Sequence, residues 1–445
     1  MGGKGGISRV LAEFMGGNAM ERRRFAWWGK CILWSALILA ILSGCSGLSL
    51  GAMGEPVTLK FSFFKNVADY EPLAAEFHRQ HPNITIELHP AEYNNNGARL
   101  LTAEAGDMDA IRISSTMIPE ELLTAFLSLD LQVSTAKNFP EEELFPGSLE
   151  GLKLNGKQIG LPAGINPFVV FYSPKKFAGM NVQLPPPNWA LAEFVNTAVA
   201  ANHPDGTQND TQIGSDQFAY GFCSHPAFND AALVTYLFGG GLFDSLTIIS
   251  RPTLNERANI EALSWYASLK TDMGVIPVRN SAREVGMLVA RSGCGLWIDW
   301  LDRSSFGGYG PNDATPLPLP AYNQSFNIAT QDGYFILAKS EHPEEAWQWI
   351  RYLMEQQSAS GSQIPPLKAQ IDSEEYATRA DKGTLAVARS LPPQMVVLGL
   401  EMSRNQRFGK VLELFAQAAE QVFDGKKDAQ TALDEAQQQA ENIFK

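Results

Sequence analysis

Cysteine is scarce in this chain, with four among 445 residues. Cys31 and Cys45 fall in the N-terminal stretch, which leaves Cys223 and Cys294 for the folded part. In an oxidising compartment that pair either forms a bridge or stays as two separate buried thiols, and sequence leaves both open. The six histidines show no metal-ligand spacing, so no metal is expected. Neither a Gly-x-Ser-x-Gly nucleophile elbow nor a Gly-x-x-x-x-Gly-Lys-Ser/Thr phosphate loop is present. A glycosidase would need two carboxylates about 5–9 Å apart across the bond, and nothing marks such a pair. No cofactor and no catalysis are expected. Positive charge is short as well. The chain carries −13; residues 1–44 hold six basic and two acidic side chains, so the remainder carries −17. That balance argues against nucleic acid as a partner. No internal repeat is visible.

What is present is a globular composition, 45% hydrophobic and 19% charged. A chain this long exceeds one ordinary core and divides naturally into two lobes. Its first 44 residues read as an address. Arg22, Arg23, Arg24 and Lys30 precede the apolar run Cys31–Leu42, which is short for a membrane span of roughly 20 residues but suits a signal peptide. The run ends in Leu42-Ser43-Gly44-Cys45, which resembles the bacterial lipobox. That resemblance implies cleavage before Cys45 and lipidation of its thiol. The alternative is an uncleaved anchor helix reaching into Leu48–Leu50. Translation starts at Met1 or Met20. Residues 45–56 read as a tether.

Val57–Phe64 alternates with period two and is rich in β-formers, a strand. Pro72 opens a helix that Pro82 ends, and Ile84–Leu88 is a second strand. Ala98–Ala105 reads as a helix, Asp109–Ile113 as a strand and Pro119–Leu127 as a helix. Lys137–Leu149 is polar and Pro-interrupted, a surface connection. Asn155-Gly156 signals a hairpin within Leu152–Ile159. Phe168–Tyr172 is a short apolar run between Pro and Gly, a buried strand. Pro185-Pro186-Pro187 stops any ladder, and Asn188 suits the cap of a helix over Trp189–Asn202. Helices follow at Ala231–Phe238, Ala258–Met273 and Ser281–Arg291, then a strand over Gly293–Ile298. Asp332–Leu337 is a strand and Glu344–Met354 a helix. Two helices, Val411–Phe423 and Asp428–Phe444, close the chain.

Several of these segments together resemble extracellular solute-binding proteins of the sugar ABC-importer type, the maltose-binding-protein-like family. Gly160-Leu161-Pro162, Phe171-Tyr172-Ser173-Pro174-Lys175 and Pro187-Asn188-Trp189 match its crossover segment. Phe77-His-Arg-Gln-His-Pro82 matches its first helix end, Gly295-Leu296-Trp297 its return strand, and Ile364-Pro-Pro-Leu-Lys368 a late loop that returns to the cleft. Ser173 and Asn188 depart mildly from the family pattern, and Gly106-Asp107-Met108-Asp109 lacks its usual Pro. The resemblance spans roughly residues 55–445 and rests on many weak signals. It implies a two-lobed α/β fold of the periplasmic-binding-protein type, with lobe 1 at 57–164 and 296–333 and lobe 2 at 165–295 and 334–445. Crossings near 163–168, 296–300 and 332–336 form the hinge, and a ligand cleft lies between the lobes.

Sugars present apolar C–H faces and rings of hydroxyls, which suit aromatic rings beside Asp, Asn and Lys. The best such cluster is Trp297, Asp299 and Trp300. As a strand, Trp297 and Asp299 share one face and Trp300 takes the other, so at least one Trp is expected to meet the solute. Lys65, Asn66 and Ser114 follow strand C-termini, where α/β sheets bind ligands. Asp109, Asn166, Tyr172, Asp332 and Tyr334 complete the candidate set; Trp189 is read as a packing residue. The implied function is a monomeric, lipid-anchored, extracytoplasmic binder that hands a sugar or oligosaccharide to an ABC permease. Other readings are a binder of a polyol phosphate or polyamine, an adhesin without small ligand, or a tethered polysaccharide-processing enzyme.

Overall fold

In the computed structural model the described residues are 55–64, 67–91, 107–202, 220–226, 230–245, 249–278, 281–302, 312–356, 363–393 and 395–445. The leader with Cys45, the expected helix Ala98–Ala105, and Lys65 and Asn66 lie outside them.

Alternating β-formers build β1 (Val57–Phe63), β2 (Ile84–Pro90) and β3 (Ala110–Ser114). β1 pairs in parallel with both. Parallel neighbours need a crossover, and α1 (Val67–Gln80) supplies the first one. This helix begins five residues before the expected Pro72. Tyr70 explains the earlier start: its ring packs on Phe61 and Phe63 at 5.4 and 4.2 Å, drawing that turn onto the sheet. Pro119–Leu127 shortens to a single turn over Glu120–Leu123. The segment 137–149, expected on the surface, buries Leu144, Phe145 and Leu149. β4 (Lys153–Leu154) and β5 (Lys157–Gln158) form the hairpin. Asn155 and Gly156 both take positive φ, 51° and 74°, as a two-residue hairpin loop of this hand requires.

β6 (Gly160–Tyr172) is the axis of the molecule, buried along its whole length. α2 (Leu191–Ala200), β7 (Tyr220–Cys223), α3 (Asp230–Leu237) and α4 (Arg257–Thr271) follow. Next come β8 (Cys294–Trp300), β9 (Thr315–Leu317), β10 (Ile328–Ile336) and α5 (Pro343–Glu355). Near the C-terminal end come β11 (Val396–Val397), α6 (Gln406–Phe423) and α7 (Ala429–Phe444). One sheet runs in the order β2-β1-β3-β10-β6-β8-β7, with β11 on β10 and β9 on β6. The first half of β6 pairs with β10, the second with β8 and β9. Partners change between Pro167, opposite Ala329, and Phe168, opposite Trp300. Proline gives a ladder no N–H, so it suits the residue where one ladder stops and another starts.

Pro56–Lys445 forms one compact unit, and two cores within it share β6. On one half, Phe61, Phe77, Tyr334 and Trp349 interlock, with α5 packed on β1 and α1. On the other, Trp189, Phe194, Phe222, Tyr266, Phe415 and Leu433 gather α2, α3, α4, α6 and α7. Each large side chain so buried contributes on the order of 1.5–3 kcal/mol. Trp189 is the packing residue expected; its Nε1 donates to Pro318 O at 2.8 Å. α2 starts two residues later than Asn188 predicts, because Glu193 Oε2 accepts from Ala190 N at 2.7 Å and closes the first turn there.

Two expected crossings differ. β8 pairs only with the second half of β6 and with β7, and β10 only with the first half, β3 and β11. The lobe boundaries expected at 296 and 334 therefore do not follow the strand pairing. Instead the chain returns between 318 and 327, after β9 has paired with the second half of β6, and crosses once more over 396–405. In that last segment Leu400 joins the core of Ile111 and Phe335, Arg404 donates to Ile118 O, and α6 then enters the other core. The open question of the cysteines is answered: Cys223, ending β7, is bonded to Cys294, opening β8, with Cα atoms 5.6 Å apart.

Candidate functional site

Residues directly opposite in an antiparallel pair share a face of the sheet. Ser114 lies opposite Asp332, Asp332 opposite Gly164, Thr330 opposite Asn166, and Phe168 opposite Trp300. Alternation then puts Ser114, Asp332, Thr330, Asn166, Phe168 and Trp300 in one row on a single face, running from the first core to the second across the partner change. Ser115 to Met117 continue from the end of β3 as a single 3-10 turn, and Ser114 Oγ lies 3.2 Å from Thr116 Oγ1.

The polar end of the row is fixed from beneath. Asp332 Oδ2 takes Arg112 Nε at 3.2 Å, Arg112 Nη2 at 3.1 Å and Gln363 Nε2 at 3.1 Å. Arg112 Nη1 donates to Tyr70 Oη at 2.6 Å, and its Nη2 also donates to Gln363 Oε1. Burial opposes the Arg112 charge, but Tyr70, Tyr334 and Asp332 outweigh it and raise the guanidinium pKa. Every nitrogen of the Arg112 side chain is thus engaged, the condition under which a buried charge is tolerated. The Asp332 side chain keeps 16% exposure. Gly164 makes this possible: a Cβ there would lie 2.3 Å from Gln363 Oε1. Gln363 reaches the spot because Ile364 bridges Ile165, as the expected return of the Ile364–Lys368 loop requires.

Two asparagines stitch the partner change. Asn327 Oδ1 accepts from Phe168 N at 3.1 Å, and its Nδ2 donates to Phe168 O at 2.8 Å. Asn166 Nδ2 donates to Thr330 Oγ1 at 3.3 Å, while its Oδ1 accepts from Asp302 N at 3.0 Å. Leu301 N adds a bond to Pro167 O at 2.9 Å. Asn166 therefore joins β10 of one half to the end of β8 in the other. Phe168 and Trp300 stack at 3.8 Å, and Trp300 remains partly exposed.

Other candidates lie elsewhere. Trp297 is 0% exposed on the opposite face, stacked on Phe171 at 5.6 Å. Asp299 shares that face at 1% exposure, and its Oδ1 accepts from Trp300 N. Tyr172 is buried beside Phe177 at the far end of β6. Tyr334 is 0% exposed in the first core, where burial raises its pKa. Asp109 sits at the start of β3, the end away from Ser114; its carboxylate takes Lys60 N at 2.9 Å and Ser340 Oγ at 2.6 Å. Thr330, Phe168, Asn327 and Gln363 belong to the row or its supports without having been singled out. Only the cross-strand register identifies them, and register is not visible in one strand's sequence.

Behind the second half, Asp230 opens α3 wholly buried. Ser224 Oγ donates to its Oδ2, and Tyr266 Oη backs Ser224. Burial, with Asp299 nearby, pushes the Asp230 carboxyl up to about 7. Among the described residues no group of three or more His, Cys, Asp or Glu could hold a metal, and no helix is long and apolar enough to cross a membrane.

Solved structures share this architecture. The ABC substrate-binding protein of Listeria monocytogenes, in complex with cycloalternan, superposes with a TM-score of 0.61 at 16% identity over 88% of this chain and 99% of its own. The sugar-binding protein MalE of Xanthomonas citri gives 0.61 at 18% identity over 87% and 97%. An ABC transporter solute-binding protein of Thermotoga lettingae bound to alpha-D-tagatose gives 0.60 at 14% over 87% and 100%. At such identities the likeness shows the two-lobed fold. Residues 64–359, more than half of the chain, match the family described as bacterial extracellular solute-binding protein, and the chain belongs to that family.

Proposed function

We propose that this protein is a lipid-anchored, extracytoplasmic binder that captures a sugar or oligosaccharide and passes it to an ABC permease. The observation that carries the reading is the row itself: hydroxyl and carboxylate at one end, stacked aromatics at the other, laid across the joint between two cores. A pyranose has the same two-sided character, and two of the structural relatives are bound to cycloalternan and to alpha-D-tagatose. Ser114 and Asp332 serve the hydroxyls; Lys65 and Asn66, next after β1 in the sequence, remain candidates for the same role. Trp300 serves an apolar C–H face. Asn166 acts at the joint, because both ends of its amide are already engaged. The core positions of Trp297, Asp299, Tyr172 and Tyr334, and the bracing bonds of Asp109, favour structural roles for those five. Closure of the halves over the solute favours one conformation, which a permease recognises.

The test pairs two variants. Asp332→Asn and Trp300→Ala, titrated with mono- and oligosaccharides by calorimetry, are expected to lose affinity tenfold or more. Wild-type affinity in both would remove the row from the binding site. For the anchor, Cys45→Ser is expected to release the protein from the membrane fraction and abolish incorporation of labelled palmitate. Retention of label in that variant would contradict lipidation at Cys45.

A further inference from the structure

Phe168 and Trp300, the last pair of the row, also wall a hollow of about 80 Å³, with Tyr236, Leu398, Phe408 and Leu412. Among these side chains the polar atoms are the Tyr236 hydroxyl and the Trp300 indole N–H. Leu242 N donates to the Tyr236 hydroxyl at 3.3 Å, and the Tyr236 ring is pinned by stacking on Phe326 at 4.5 Å. Trp300, Leu398, Phe408 and Leu412 are partly exposed, so the hollow opens to solvent where the row ends.

Water is a poorly held occupant here, because it makes about three hydrogen bonds and these side chains offer two polar atoms, one of them already bonded to Leu242 N. A sugar hydroxyl is worse placed still, since it would lose the bonds it makes in water. An apolar group displaces weakly held water at a gain. The size is also restrictive. A water fills about 30 Å³ of liquid, and benzene enters a cavity of about 150 Å³. The hollow therefore suits roughly two or three carbon-sized groups.

We propose that the solute is a sugar of two or more rings carrying a short apolar substituent, an alkyl group of two or three carbons, which seats against Phe168 and Trp300 while the hydroxyls of the far ring meet Ser114 and Asp332. This deepens, and rests on, the sugar reading above. The hollow continues the row through two shared side chains. Gly164, opposite Asp332, and Phe168 are four residues apart on β6, about 13 Å, so a solute of two rings spans from the carboxylate to the hollow without a second site.

The experiment titrates the chain from Ser46 onward with maltose, cellobiose, maltotriose and their n-alkyl glycosides from methyl to hexyl. A second series uses Leu412→Phe, which fills the hollow from a helix position outside the polar row. In the wild type, affinity is expected to rise about fourfold per carbon up to propyl and then level. Leu412→Phe is expected to keep the affinity for free sugar and lose the dependence on chain length. Binding of free sugars with a flat or falling alkyl series overturns the hollow as a subsite and leaves the sugar reading intact. Persistence of the alkyl gain in Leu412→Phe overturns it equally. Silence of every sugar and glycoside overturns both.

Discussion

Asp230 is a carboxyl group placed where water cannot reach it, and its removal should stabilise the protein in a manner that depends on pH. Its folded pKa stands near 7, against 3.8 for the ordinary group, because burial penalises the charge and Asp299 adds repulsion. The sign follows from linkage. Below the unfolded value both states are protonated, and the folded state pays no penalty. As pH rises from about 4 to about 7 the unfolded chain releases the proton while the folded chain keeps it. Stability therefore falls by about 1.4 kcal/mol per pH unit and is lower by about 4 kcal/mol once pH passes 7. Asp230→Asn keeps an acceptor for Ser224 Oγ and removes the titration. Urea unfolding of both proteins at pH 5 and pH 8 checks this. The variant's advantage should grow by on the order of 3 kcal/mol between the two, less a constant cost of about 1 kcal/mol for an imperfect hydrogen bond. A difference independent of pH would refute the reasoning. A variant several kcal/mol less stable at pH 8 would show instead that the carboxylate is charged and fully satisfied in the fold.

Reduction of the Cys223–Cys294 bond, or the double change to Ala, opens a loop with a sequence separation of 71 residues; denaturant unfolding should show a loss of about 2–4 kcal/mol. Trp297→Ala should cost about 3–5 kcal/mol of stability through a core cavity, while Trp300→Ala should cost less stability and more affinity. Equal effects of the two on melting and on binding would contradict their assignment to opposite faces. Asn327→Ala leaves Phe168 N–H and C=O without their partner at the joint, so a stability loss of about 1–3 kcal/mol is expected, read by urea titration.

The sequence reveals this fold through periodicity. Val57–Phe63, Ile84–Pro90 and the last two helices stand close to where alternation and apolar stripes put them, because each buries one face against a neighbour. Leader and tether lie outside that logic, and residues 1–54 lie outside the described residues. What periodicity cannot supply is pairing. Gly295-Leu296-Trp297 was legible as a strand, yet which neighbours β8 would take depended on the partner change at Pro167. Asp109 and Asp332 look alike as strand-end carboxylates. One braces the start of β3, and the other ends in the row, because β3 and β10 run antiparallel. Counting along the strand puts Trp297 and Trp300 on opposite faces, but only the cores show which face carries the joint. Segment 396–405 carried no signal of crossing; its short strand and single helical turn are held by contacts with the other half rather than by any pattern of their own.

The central claim is that this chain binds a sugar across the joint. The chain from Ser46 onward, titrated with monosaccharides, oligosaccharides, polyols and polyamines while tryptophan emission and melting temperature are followed, tests it most directly. A sugar binder gives a saturable change with a sugar or sugar derivative, a stabilisation of about 2.7 kcal/mol at a hundredfold excess over Kd, and the same sugar recovered uncut by chromatography. A saturable response to polyamines alone, cleavage of the sugar, or silence with every sugar and sugar derivative would contradict it.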